Sequence, residues 1–247
     1  MRLTLFPFLS GALALPATLH SRADEPVYWL LAGDSTTAPN GGWGDAFLST
    51  TVAANSAGTN YGHSGATTAS FRAGGDWASV LSQIDSHKST HRVYVTIQFG
   101  HNDQKSTSGV TLADYKTNLA AFAAEATAAG ATPVLLTPLT RRSFANGVVI
   151  ENLANETAAT IQVADANALH WIDLNAASTK YVNAIGAAAA DKYNLAAGDR
   201  THVNEWGGVV FARIVSDLLV GKYEGEFGGV TKRNETLSRL IEEGVAA

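Results

Sequence analysis

The chain has 247 residues, a formal charge of −5 and 46% hydrophobic residues, which suits a folded globular chain and excludes a disordered or fibrous one. It has no cysteine, so disulfides, thiol catalysis and sulfur-ligated zinc are excluded. The mild acidity gives no electrostatic case for nucleic acid or for an anionic membrane surface as partner.

Arg2 precedes a mostly apolar run, Leu3 to Leu15, then Pro16 and a polar segment ending in Ser21-Arg22-Ala23. This is the layout of a secretory signal peptide cut after Ala23, or alternatively after Ala17. The run is too short to span a bilayer. Residues 1–23 are expected to be removed, leaving residues 24–247 as one secreted domain with a formal charge of −7 once Arg2 and Arg22 are gone. Asn155-Glu156-Thr157 and Asn234-Glu235-Thr236 are N-glycosylation acceptor triplets, expected at the surface in a eukaryotic source.

The first element is an apolar run, Val27 to Ala32, that reads as a buried parallel strand and stops at Gly33-Asp34-Ser35. A helix is expected over Trp43 to Ala53, then a short strand at Thr59-Asn60-Tyr61 that runs into the glycine-punctuated loop Gly62-His63-Ser64-Gly65. Gly74 to His87 carries Trp77, Val80, Leu81 and Ile84 at helical spacing. Val93 to Phe99 is rich in β-branched and aromatic residues and reads as a strand ending at Gly100-His101-Asn102-Asp103. The alanine-rich stretch Leu112 to Ala129 predicts a helix stopped by Gly130. Pro133 to Thr137 is a fourth strand. A helix follows from about Val148 to Ala166, and His170 to Leu174 is a fifth strand. Helices are expected over Ala176 to Ala190, Glu205 to Val220 and Thr231 to Glu243. Strands alternating with helices over the whole length predict a parallel sheet covered by helices on both faces.

Catalytic groups in open α/β sheets sit beyond the carboxyl ends of the strands. Ser35 stands at such an end and is the candidate nucleophile; the alternative is a turn in which Asp34 or Ser35 caps the next helix. A serine nucleophile needs a base, an orienter for that base, and donors for the developing oxyanion. Asp199-Arg200-Thr201-His202 offers the first two. The spacing lets a carboxylate reach imidazole Nδ1 while Nε2 stays free for Ser35. The alternative is that Asp199 only caps a turn and His202 is exposed. Gly65, after the second strand, and Asn102, after the third, can supply donors alongside the Ser35 N–H. Plain turn chemistry at Gly65 and an Asx-turn at Asn102 are the competing readings. Arg141 and Arg142 follow the fourth strand, where guanidinium forks suit a carboxylate-bearing substrate, or stand as solvated loop residues. Trp43 is a core residue or a sugar-stacking one. Ser64 lies outside a Gly-x-Ser-x-Gly elbow. No metal or nucleotide motif supports a cofactor.

The four blocks Gly33-Asp34-Ser35-Thr36, Asn60-x-Gly62-x-x-Gly65-x-Thr67, Gly100-His101-Asn102-Asp103 and Asp199-x-x-His202 resemble those of the GDSL, or SGNH, hydrolase superfamily. Gly42-Trp43-Gly44, Thr137-Pro138 and Arg141-Arg142 narrow the resemblance to rhamnogalacturonan acetylesterases. The resemblance implies a flavodoxin-like three-layer α/β/α sandwich with a five-stranded parallel sheet. It implies Ser35 as nucleophile, His202 as base, Asp199 as orienter, and an oxyanion hole of Ser35, Gly65 and Asn102. The function implied is removal of O-acetyl groups from pectin by a secreted, cofactor-free monomer whose partner is an acetylated polysaccharide. Acetylxylan or another short-chain ester is the alternative substrate, and a catalytically silent glycan-binding module is the alternative class.

Overall fold

The computed structural model describes residues 26–247; the expected signal peptide and His20 lie outside the described residues. Its first strand, β1 (Val27–Gly33), shows why a central sheet forms. Side chains alternate along a strand, and here both sets are apolar. Val27, Trp29 and Leu31 enter one core cluster, while Leu30 and Ala32 enter another. A strand buried on both faces needs helices on both sides.

The sheet runs in the order β2 (Ala57–Asn60), β1, β3 (Arg92–Gln98), β4 (Thr132–Leu136) and β7 (His170–Ile172), with every pair parallel. This is the expected five-stranded flavodoxin-like order, and it places the topological switch point between β1 and β3. The first core packs α1 (Gly44–Thr50), α6 (Leu174–Ile185), α8 (Glu205–Lys222), α9 (Glu224–Phe227) and α10 (Glu235–Glu242) on one face. The second packs α2 (Thr68–Ala73), α3 (Asp76–His87), α4 (Leu112–Ala129) and α5 (Ala154–Ala166) on the other. Three layers result, as the sequence predicts.

Several local features differ from the sequence reading. The helix expected from Val148 begins only at Ala154. Ahead of it, β5 (Phe144–Ala145) and β6 (Val148–Val149) form an antiparallel hairpin. Its turn residues Asn146 and Gly147 have φ of 52° and 80°, the pair of positive angles that a tight hairpin turn demands and that Asn-Gly supplies at low cost. The helix expected over 176–190 starts at Leu174, because Asp173 leaves the strand to cap it: its carboxylate accepts the Ala176 N–H at 3.0 Å. That helix stops at Gly186, φ 76°, and a separate turn, α7 (Ala187–Ala190), follows. The last helix starts at Glu235, where Asn234 Oδ1 accepts the Leu237 N–H at 3.1 Å. The unexpected α2 is nucleated by a capping box in which Thr67 and Ser70 bond reciprocally.

Gly42, just ahead of α1, packs directly on the main chain of the nucleophile turn. A Cβ there would lie 2.4 Å from the Thr36 carbonyl and 2.5 Å from that of Thr37, and backbone atoms cannot step aside. Gly42→Ala is expected to destabilise by about 1–3 kcal/mol in urea unfolding, the usual cost of overpacking. Gly221→Ala, in α8 with open space around the added atom, is expected to leave stability unchanged or raise it by up to about 1 kcal/mol.

Candidate active site

The end of β1 is held by a buried polar chain. Asp34 Oδ1 accepts from both the N–H and the hydroxyl of Thr36 at 2.8 Å. Gln98, from β3, donates to the Thr36 hydroxyl, and its Oε1 accepts the Trp43 indole N–H at 2.8 Å. Trp43 is therefore a buried core residue and is not free to stack on a sugar. Between these anchors Ser35 is only 7% exposed, and its hydroxyl points out of the turn.

His202 Nε2 lies 2.8 Å from Ser35 Oγ, and His202 Nδ1 lies 2.9 Å from Asp199 Oδ2. Asp199 also caps its own turn, with Oδ1 accepting the N–H groups of Thr201 and His202 at 3.1 and 3.0 Å. The two readings of this carboxylate are thus both realised, one by each oxygen. Burial pushes the Asp199 pKa up, but the hydrogen bonds from His202 and Thr201 outweigh it and hold the group below the usual carboxylate value. The array is nucleophile, base and orienter in hydrogen-bond contact. The other described histidines are engaged elsewhere: His63 with Asp76, His170 with Glu226, His101 with Asp34, and His87 and His91 against Tyr28.

The expected oxyanion donors lie in the loops that follow β1, β2 and β3. The loop after β2 is stapled to β1 by the His63 N–H, which donates to Gly33 O at 3.0 Å. Gly65 has φ 83°, a left-handed conformation that glycine adopts freely, with open space where a side chain would stand. Asn102 makes no Asx-turn. Its Nδ2 donates to Ala66 O at 2.9 Å and its Oδ1 accepts from Lys105 Nζ at 2.6 Å. The side chain is held at both ends, with one amide proton left over. Among the described residues the N–H groups of Ser35 and Gly65 have no acceptor. Lys105 carries no sequence signal beyond its position three residues after Asn102.

The two adjacent arginines part company. Arg141 is half-buried on the rim and reaches Thr201 Oγ1, Asn152 Oδ1 and the His101 carbonyl at 3.2–3.3 Å, with no carboxylate within ion-pair distance among the described residues. Burial pushes its pKa down, partly offset by the more distant Asp34 and Glu156. Arg142 is fully buried. The expectation that it contacts substrate is corrected: its Nε and Nη2 bond Asn194 and the main chain of residues 199–202, and Nη1 is buried with no partner among the described residues. Asn155 and Asn234, the acceptor asparagines, are exposed.

Three depressions open among the loops at this end of the sheet, and neither Ser35 nor His202 lines any of them. One of about 180 Å³ is lined by His63 and Gly65, one of about 330 Å³ by Asp103 and Lys105, and one of about 410 Å³ by Asn40, Gly41 and Val203.

A parallel α/β sandwich carrying such a Ser–His–Asp array on its switch-point rim defines a class of ester-hydrolysing folds. The family model for the GDSL-like Lipase/Acylhydrolase family matches residues 31–208. The chain is 30% identical to the Bacillus subtilis rhamnogalacturonan acetylesterase RhgT over 78% of its own length and 89% of that protein's. Among solved structures, the Bacillus subtilis protein YxiM superposes with a TM-score of 0.71 at 23% identity, over 82% of this chain. The present chain spans 58% of YxiM. Axe2, an acetylxylan esterase from Geobacillus stearothermophilus, superposes with a TM-score of 0.58 at 20% identity, over 85% of this chain and 98% of Axe2. The chain belongs to the GDSL-like lipase/acylhydrolase family, and its chemistry is that of an acylhydrolase.

Two buried aspartates on the rim differ in sign. In Asp34, burial pushes the pKa up, but His101, 3.3 Å away, and the Thr36 donors outweigh it and bring it below the usual value. In Asp103, burial dominates over the Thr68 donors, nearby Asp34 adds to it, and the pKa is raised. A depressed carboxyl contributes stability that is present above the ordinary carboxyl pKa of about 4 and is lost as pH falls through its lower folded value. At pH 7, Asp34→Asn should therefore destabilise by about 1–3 kcal/mol, and Asp103→Asn by less than about 1 kcal/mol, in urea unfolding. The Asp34→Asn deficit should shrink below about pH 4.

Proposed function

We propose that this chain is a secreted serine carbohydrate esterase that removes O-acetyl groups from rhamnogalacturonan, without a cofactor and as a monomer. The observation that carries the reading is the contact of Ser35 Oγ with His202 Nε2, backed by Asp199, beside two main-chain donors that have no internal acceptor.

Ser35 Oγ attacks the acetyl carbonyl carbon as His202 Nε2 takes its proton. The oxyanion rests on the N–H groups of Ser35 and Gly65 and on Asn102 Nδ2. The lysine at Asn102 Oδ1 orients that amide and polarises it. Collapse of the tetrahedral adduct breaks the bond to the sugar oxygen, which leaves as a hydroxyl with the proton from His202. Water, deprotonated by His202, attacks the acetyl-enzyme; acetate departs and the proton returns to Ser35. Asp199 stabilises the imidazolium throughout and fixes its tautomer.

The pectin assignment draws on similarity to RhgT and on Arg141, a rim guanidinium that has only neutral partners within hydrogen-bond reach. A guanidinium fork fits the carboxylate of a galacturonate residue. Secretion draws on the layout of residues 1–23, and glycosylation on the two acceptor triplets and the exposure of Asn155 and Asn234.

Ser35→Ala is expected to lower acetate release by about 10⁴-fold or more; retention of most activity would refute the assignment. Comparing acetate release from rhamnogalacturonan and from acetylxylan decides the polymer. Arg141→Gln should raise KM on the galacturonate-bearing polymer about tenfold or more while leaving KM for an aryl acetate unchanged. Equal effects on both substrates would mean that Arg141 reads no carboxylate.

A further inference from the structure

Residues 199–202 belong to no helix or strand, and few main-chain bonds hold them: the Asp199 N–H donates to the Ala196 carbonyl at 3.0 Å and the His202 carbonyl accepts the Leu195 N–H at 3.1 Å. Yet imidazole Nε2 must stand at hydrogen-bond distance from Ser35 Oγ, and a displacement of about 1 Å is enough to cost a large part of a rate. Something outside regular structure has to hold these four residues still.

Arg142 meets the segment from beneath. Its own N–H donates to the Arg200 carbonyl at 2.8 Å. Its Nη2 donates to the His202 carbonyl at 2.5 Å and reaches the Asp199 carbonyl at 3.4 Å. Three of the four carbonyls in the segment thus face one arginine, and a single nitrogen spans the two residues whose side chains pair with each other. The fork is aimed by Asn194, whose Oδ1 accepts from Nε at 2.8 Å. Asn194 is in turn bonded to Asp191 at 3.0 Å, and Asp191 pairs with Arg200 at 3.2 Å, closing the ring on the segment's outer side. The ring of Phe211 lies 5.9 Å from the guanidinium carbon.

Arg142 is 0% exposed and pairs with no carboxylate within 4 Å among the described residues. An apolar side chain of similar volume would avoid the desolvation cost of such a cation. Burial brings its pKa down to about 10, partly offset by the carboxylates of Asp199 and Asp191, so it stays charged at neutral pH. Lysine lacks the planar fork that addresses three acceptors in fixed directions. A buried side chain of this kind cannot touch a polysaccharide.

We propose that Arg142 is a positioning residue that sets the Asp199–His202 segment in register with Ser35 by binding its main-chain carbonyls. The inference rests on the Ser–His–Asp reading above and adds a residue to it.

The experiment compares the whole protein with Ser35→Ala, Arg142→Met and Arg142→Lys, using aryl acetate hydrolysis and the rate at which a p-nitrophenyl phosphonate modifies Ser35. Arg142→Met is expected to keep its near-ultraviolet circular dichroism and to hold KM within twofold. Its kcat and its phosphonylation rate should fall together by about 100-fold. Arg142→Lys should lose about tenfold in both, because the cation stays while the fork goes. A folded Arg142→Met with kcat within threefold of the parent overturns the proposal, as does a rise in KM at unchanged kcat, which would return Arg142 to substrate binding. If Arg142→Met does not fold, Asn194→Ser decides the same question, since it withdraws the amide that aims the fork and bonds Asp191 while Arg142 stays in place: a joint fall in kcat and phosphonylation rate of about tenfold supports the proposal, and rates within threefold of the parent overturn it. An active Ser35→Ala would refute the nucleophile reading instead, so the two failures are told apart.

Discussion

The hydrogen bond between His202 and Ser35 joins residues 167 positions apart in the chain, and the rest of the molecule is arranged so that this meeting costs little. The entropy of closing a loop that long is met by the whole sheet and its two cores rather than by the pair itself. β1 is buried on both faces and delivers Ser35 to the switch-point rim. The returning segment is caught by main-chain bonds on either side of His202: Val203 N–H to Gly41 O, and Leu195 N–H to His202 O. Ser35 and His202 therefore sit on a floor assembled from distant parts of the chain.

The rim differs from the core in how its polar groups are satisfied. Below it, the sheet packs apolar side chains on both faces. At the strand ends, buried carboxylates, amides and guanidinium groups are tied to one another and to main-chain atoms. Such groups are expensive to bury and rigid when satisfied. Placing them in one layer cross-links the loops after β1, β2, β3 and β4.

The alternation of strands and helices was readable because both sides of β1 are apolar, β3 is rich in β-branched and aromatic residues, and the long helix between β3 and β4 carries its own stop at Gly130. The site was readable where chemistry and chain order coincide: Ser35, Gly65, Asn102 and Asp199 with His202 all fall at strand ends or at the return segment. What escaped was set by packing. The Asn146-Gly147 turn is a plain hairpin signal, yet the apolar positions running on through Val148 and Val149 read as the start of a helix. Arg141 and Arg142 are the same residue type side by side. Only the tertiary structure gives one to the rim and the other to the interior, although neighbours in a non-helical segment tend to face opposite ways. Lys105 has no motif at all, and its reach to Asn102 follows from the turn between them.

The division of the reactive array between the two ends of the chain has a consequence for synthesis. Ser35, Gly65 and Asn102 leave the ribosome well before Asp199 and His202, and until the later segment docks against Gly41 and Arg142 the serine has no base in contact with it. On the proposed assignment, a chain made only in part carries a serine without its base, so ester cleavage would report that the segment carrying His202 has docked.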